Sequence, residues 1–238
     1  MFIKTLAAVA ATLALAGAAQ ANTIVQWNFN STTPDANPAT GTLTPVAGAG
    51  TASALGTTAS YASGTANGGS SDTSTADNSG WGLTSFAAQA AGNKTRGAQF
   101  LFSTVGLQDI VFTYDLRHSN TSAANEVVQY TLDGSTFIDI ATFTATAGDT
   151  WFKARSVDLS AISAADNNAN FGVRVVAGFG SGGNYVASSP TGTYGAAGTW
   201  RFDQVTATGT TVPVPEPETY ALMLAGLGVL GLVRRAKR

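Results

Sequence analysis

The body of this chain is predicted to be all-β, an antiparallel β-sandwich, on three observations. Short runs of alternating apolar and polar residues recur from residue 99 to residue 208. Clusters of Gly, Asn, Asp and Ser separate these runs. Almost nothing between them repeats with a helical apolar period.

The first segment stands outside that fold. Lys4 makes a short positive region, Leu6–Ala16 is apolar, and Ala19-Gln20-Ala21 fits a small-x-small cleavage site. Residues 1–21 therefore read as a signal peptide, and the mature chain is expected to begin at Asn22. The chain has no cysteine, which excludes a disulfide framework and a lipid-modified cysteine. Stability must come from a buried core, which residues 22–211 are long enough to supply as one domain.

Thr23–Asn30 places Val25, Trp27 and Phe29 on one face and Gln26, Asn28 and Asn30 on the other, a half-buried strand ended by Pro34 and Pro38. Residues 39–93 are rich in Ala, Gly, Ser and Thr. They bury little surface and are expected to be loop, weak strand or partly mobile chain within the domain, anchored by Leu43, Val46, Leu55, Tyr61, Trp81, Leu83 and Phe86. Gln99–Val105 and Gln108–Arg117 read as a strand pair joined at Gly106. In the second strand Ile110, Phe112, Tyr114 and Leu116 face in, and Val111, Thr113, Asp115 and Arg117 face out. Glu126–Leu132 and Phe137–Thr144 form a hairpin about Asp133-Gly134. Trp151–Leu159, Phe171–Val176 and Thr199–Thr208 are further strands. Ser160–Asn168 holds one helical turn capped by Ser160, and residues 178–198 form a long Gly/Ser/Tyr loop. Trp27 and Trp200, on the first and last strands, suggest that the two ends pair in one sheet.

Charge narrows the function. Residues 22–211 carry seven basic and twelve acidic side chains, a net of −5. No basic run is present, which argues against a nucleic-acid partner. His118 is the only histidine, so no histidine cluster for zinc exists; at the end of a strand beside Arg117 it reads as a surface residue. A glycosidase would need two facing carboxylates. The candidates are Asp133 with Asp139 and Asp115 with Glu126, but the turn explains Asp133, and solvated strand faces explain Asp115 and Glu126. No catalytic residue is assigned. For sugar binding, aromatic faces and amides are needed, and Trp81, Asn184, Tyr185 and Tyr194 are the candidates; the alternative is that they plug the ends of the sandwich.

The last 25 residues have their own logic. Val214-Pro215-Glu216-Pro217 is followed by an uncharged apolar run, residues 220–233, and then by Arg234, Arg235, Lys237 and Arg238. As a helix the run spans roughly 21 Å against a hydrocarbon core of about 30 Å, a gap that flanking side chains and local thinning can close. The four cations are too costly to drag across a bilayer and stay on the cytoplasmic side. Pro213, Pro215 and Pro217 keep the preceding residues extended and accessible to a processing enzyme. Motif, apolar run and basic terminus together resemble the PEP-CTERM sorting signal of Gram-negative bacteria. That resemblance implies a transient membrane anchor, recognition by the membrane protease-transpeptidase exosortase, and transfer toward the envelope or an exopolysaccharide matrix.

The strings T-L-D-G-S-T-F, W-F-K-A-R-S-V-D-L-S, N-F-G-V-R-V-V and W-R-F-D-Q-V-T-A-T-G resemble jelly-roll modules of exported bacterial proteins. This implies a jelly-roll-like sandwich with a carbohydrate-binding or adhesive role. It also implies a structural calcium, for which Asn28, Asn30 and Asp203 are the candidates if the terminal strands pair. The expectation is a non-enzymatic, exported envelope or matrix protein that binds polysaccharide. A secreted glycan hydrolase and a purely structural surface protein are the alternatives.

Overall fold

The computed structural model describes residues 20–74, 76–212, 223–227 and 234–235. Among them the strands are β1 (Ala21–Trp27), β2 (Ala47–Gly48), β3 (Gly50–Leu55), β4 (Thr58–Ser63), β5 (Ser79–Thr84), β6 (Gly97–Phe102), β7 (Leu107–His118), β8 (Asn125–Thr131), β9 (Phe137–Thr144), β10 (Thr150–Asp158), β11 (Gly172–Gly178) and β12 (Trp200–Thr211). They form two antiparallel sheets. One has seven strands in the order β10-β7-β12-β1-β2, with β5 also pairing β12 and β4 pairing β5. The other has five, in the order β3-β6-β11-β8-β9.

The terminal strands do pair. β1 runs antiparallel to β12 from Ala21 opposite Thr210 to Trp27 opposite Val205. β12 is long enough to take β5 along Trp200–Phe202 and β1 further on, with β7 along its other side.

The inner faces of both sheets meet in an aromatic core. Phe100 on β6 lies 5.3 Å from Trp27, 6.1 Å from Trp81, 5.8 Å from Phe112 and 6.0 Å from Phe202, centroid to centroid. Ile110, Phe112, Tyr114 and Leu116 are fully buried, as their alternation requires. The indole N–H of Trp27 donates to the Leu43 carbonyl at 2.9 Å, so this large side chain is buried without an orphaned donor.

Three local expectations differ from the structure. β6 and β7 are not a pair. β6 lies between β3 and β11, and β7 between β10 and β12, so residues 103–106 carry the chain from one sheet to the other. Thr104, buried at this crossing, donates to the Ala165 carbonyl at 2.6 Å. The helical turn is Ser163–Ala165, preceded by Ile162 and without a side-chain cap. Ser160 is engaged earlier, its amide donating to Asp158 at 2.9 Å. Residues 39–93, expected as loop, weak strand or partly mobile chain, carry β2 to β5, and one expected anchor fails. Trp81 and Leu83 are in the core, while Val46 is 59% exposed.

Residues 223–227 are helical and exposed. Among the described residues no helix is long and apolar enough to cross a membrane. Most of the apolar run 220–233 lies outside them, as do Val214, Pro215, Glu216, Pro217, Lys237, Arg238 and Ala19 of the signal-peptide reading.

Phe100→Ala should destabilise the protein by about 3–5 kcal/mol, since it opens a cavity shared by four rings. Urea unfolding followed by tryptophan fluorescence would show the loss. A shift well under 1 kcal/mol would mean that the core is not centred there.

Candidate functional site

The two sheets expose very different outer faces. On the seven-stranded sheet the outward residues include Asp115, Arg117 and Asp203, and all three are buried. Residues 63–78 lie across them. Asp115 accepts from the Ser71 amide and, at 2.7 Å, from the Ala154 amide. Asp203 Oδ2 accepts from the Ser70 hydroxyl at 2.5 Å. Arg117 Nε donates to Asn67 at 3.1 Å, Trp151 Nε1 to the Ala66 carbonyl at 2.8 Å, and Arg201 to the Ser63 carbonyl at 2.6 Å. Asp77 holds the Ser31 amide at 2.8 Å, and Asp72 accepts from Asn30 Nδ2 at 2.8 Å. Side chains read as solvated are thus the seam between the sheet and a polar strap. Burial above all pushes the carboxyl of Asp203 up to about 8, against its hydrogen bonds to Ser70 and Gln204 and with help from Asp72 and Asp115. Gly64 sits where a side chain would collide with Asn78 Oδ1, which has no partner among the described residues, and crowd Asp203 Oδ2.

The calcium candidates meet here but do not form a cage. Asn30 spends its amide on Asp72 and its carbonyl oxygen on the Ser79 amide, and Asp203 spends its oxygens on Ser70 and Gln204. Asn28 Oδ1 accepts from the Asn30 amide at 3.3 Å. Calcium needs about six to eight free oxygens. Among the described residues no group of three or more His, Cys, Asp or Glu could hold a metal. The three residues therefore do not fit that ion.

The outer face of the five-stranded sheet is more open, although Val176, Val127, Thr131 and Gln129 on it are buried. Register aligns Ser53 of β3, Gln99 of β6, Arg174 of β11, Gln129 of β8 and Asp139 of β9 in one row across all five strands. Their neighbours along each strand, such as Phe100, Val173, Val175 and Val128, point into the core, so this row points out. Arg174 Nε donates to Gln129 Oε1, and Gln129 Nε2 donates onward to Asp139 at 2.5 Å. Lys94 closes the row on Asp139. The Arg174 guanidinium lies 4.0 Å over the ring of Phe137, in the next row. Beside it Gly172 leaves room for Leu101, whose Cδ2 occupies the space a side chain at 172 would need. With strands about 4.8 Å apart, the floor is roughly 19 Å wide. It offers an apolar patch flanked by amide, hydroxyl and guanidinium groups.

The residues proposed for sugar stacking lie elsewhere. Trp81 is 1% exposed in the core and stacks on Phe29 at 5.5 Å. Tyr185 is 3% exposed, stacks on Tyr194 at 4.7 Å and donates its hydroxyl to the Gly92 carbonyl at 2.8 Å. Tyr194 donates to the Ala87 carbonyl at 2.6 Å. These rings close one end of the sandwich. Asn184 alone is exposed.

His118 is not a surface residue. It is fully buried, with Nε2 2.9 Å from Glu126 Oε1 and Nδ1 3.0 Å from the Ala123 carbonyl. Tyr114 donates to Glu126 Oε2 at 2.7 Å, and Arg155 reaches Oε1 at 3.2 Å. Burial raises the Glu126 carboxyl, but the hydrogen bond and charge of His118, with Arg155 and Tyr114, outweigh it and hold the group below its ordinary value. Parity already contained this answer: His118 is in phase with Ile110–Leu116, and Glu126 with Val128 and Tyr130. The carboxylate pairs proposed for hydrolysis do not form. Asp115 is on an outer face and Glu126 on an inner one. Asp133 caps its turn through the Ser135 and Thr136 amides, and Asp139 is engaged by Lys94 and Gln129.

The chain is thus an antiparallel β-sandwich with one strapped and one open face. Residues 213–238 match the PEP-CTERM protein-sorting motif, so the chain carries that signal at its C-terminus. No curated protein matches the chain. Among solved structures it is similar to the CBM22-1–GH10 modules of Clostridium thermocellum endo-1,4-beta-D-xylanase 10B complexed with xylohexaose (15% identity, 68% of this chain and 27% of that one, TM-score 0.44). It is also similar to the CBM22-1 xylan-binding domain of Paenibacillus barcinonensis Xyn10C (9% identity, 83% and 100%, TM-score 0.42). A third is the K1 cleaved adhesin domain of Lys-gingipain from Porphyromonas gingivalis W83 (11% identity, 82% and 99%, TM-score 0.40). The chain spans only about a quarter of the xylanase chain. These likenesses are too distant to carry an argument about ligand or activity.

The Asp203 carboxyl gives a pH test. Its folded pKa is raised from 3.8 to about 8, so its stabilising contribution is complete below about pH 4 and is lost as pH rises through 8. Asp203→Asn should be increasingly more stable than the wild type from pH 5 to pH 8, with the difference levelling above that. Urea midpoints measured across this range should diverge; parallel curves would place an ionised carboxylate under the strap.

Proposed function

We propose that this is an exported, non-enzymatic protein of the envelope or extracellular matrix of a Gram-negative bacterium, which binds polysaccharide on the open face of its five-stranded sheet. The sorting motif supports delivery. In this reading residues 220–233 hold the chain in the inner membrane, and exosortase then removes the tail. The row Ser53–Gln99–Arg174–Gln129–Asp139 carries the binding half of the proposal. Polysaccharides present hydroxyls at intervals along apolar ring faces. A flat floor with Phe137 and Leu101 beside a line of amides and a guanidinium matches that chemistry. The non-catalytic reading is supported by carboxylates committed to turns, ion pairs and the strap.

Retention of the full-length protein, in mild detergent, on a panel of immobilised neutral and acidic polysaccharides tests the binding. Reducing-sugar release tests for turnover in parallel. Retention without turnover is expected, and Gln99→Ala should weaken it about fivefold while leaving the melting temperature unchanged. Sustained sugar release, or failure to bind any member of the panel, would refute the proposal.

A further inference from the structure

On the polysaccharide-binding reading just given, we infer that Arg174 makes the open face selective for glycans that carry carboxylates, the uronic-acid class. Three observations lead there. The first is the state of the side chain. Its Nε is bound to Gln129 and its plane rests on Phe137, so the guanidinium is held in place before any ligand arrives. Among the described residues no protein group accepts from its two terminal nitrogens. A guanidinium fixed on its Nε side and open at its tip presents the two parallel N–H groups that match a carboxylate.

The second is charge. Lys94 pairs with Asp139 at the β9 end of the row, and Arg174 feels the same carboxylate; two cations share one anion, so the row keeps a net positive charge. This positive point stands on a body whose net charge is −5. Other cations without an acidic partner among the described residues, such as Arg96 and Lys153, lie off this row, so on the row itself Arg174 is the group that can receive an anion.

The third is position. Arg174 is in the middle strand of five, with Gln99 on one side and Gln129 on the other. Gln99 has no side-chain partner among the described residues and is available to a sugar hydroxyl beside the carboxylate. An acidic peptide would find the same cation, but it has no sugar ring to lay against the apolar floor beside Leu101.

Polygalacturonate and the same polymer with its carboxylates reduced to alcohols are the probes. The full-length protein in non-ionic detergent should bind the acidic polymer about tenfold more tightly than the reduced one, and added salt should erase the difference. Arg174→Gln should bring both polymers to the affinity of the reduced one, and Arg174→Lys should restore only part of the preference. Equal binding of both polymers by the wild type overturns the inference and leaves the polysaccharide reading standing. So does an undiminished preference in a folded Arg174→Gln. Equal retention on poly-L-glutamate overturns it too, since charge alone would then select the ligand. Binding to neither polymer overturns the inference, and failure on the whole panel overturns the reading beneath it. The wild-type comparison and its salt dependence need no variant, so a misfolded substitution does not shelter the idea.

Discussion

Phe100 touches Trp27, Trp81, Phe112 and Phe202, so a single ring joins side chains from five strands of both sheets. In a chain without cysteine, that contact does what a cross-link does in many exported domains. Aromatic side chains remove much apolar area from water per residue ordered, and their edge-to-face packing adds a directional term. The buried knot of Tyr114, His118, Glu126 and Arg155 sits in the same layer. Its charges are tolerable there because each has a hydrogen-bonded partner.

With the inner faces committed, the outer faces decide what the molecule can do. The strap formed by residues 63–78 closes the seven-stranded sheet through short polar side chains and backbone groups, with few apolar contacts. That solution suits a segment of Gly, Ala, Ser and Thr, which has little apolar surface to offer. It also explains why so many carboxylates are unavailable for chemistry. On the five-stranded sheet Gln129 is buried, but Ser53, Gln99, Arg174 and Asp139 of the same row reach solvent.

Much of this was legible in the sequence. Alternation located most of the strands, Asp133-Gly134 located the β8–β9 hairpin, and Trp27 and Trp200 anticipated the pairing of the ends. The pairing of β6 with β7 was misread because proximity in sequence favours a hairpin, and nothing local says that residues 103–106 change sheets. Composition left residues 39–93 open between loop and weak strand, because small side chains do not show which backbone segments pair; β5 lies between β4 and β12. Tyr185 and Tyr194 left two readings open in the sequence, sugar stacking and plugging an end of the sandwich; in the structure the rings turn inward and find carbonyls. The row containing Arg174 was missed for a different reason. Each of its members is an ordinary outward residue on its own strand, and only the register of five strands makes them a line.

The place of β12 has a consequence for biogenesis. This final strand lies in the middle of its sheet, where it joins β7 on one side to β1 and β5 on the other. A polypeptide threaded amino end first through a secretory pore cannot complete that sheet until Thr211 has emerged, two residues before the matched signal begins. Closure of the sandwich and arrival of the greasy tail therefore coincide. Until that strand is available, β1, β5 and β7 have no shared neighbour, so the larger sheet assembles late and from both ends of the domain at once.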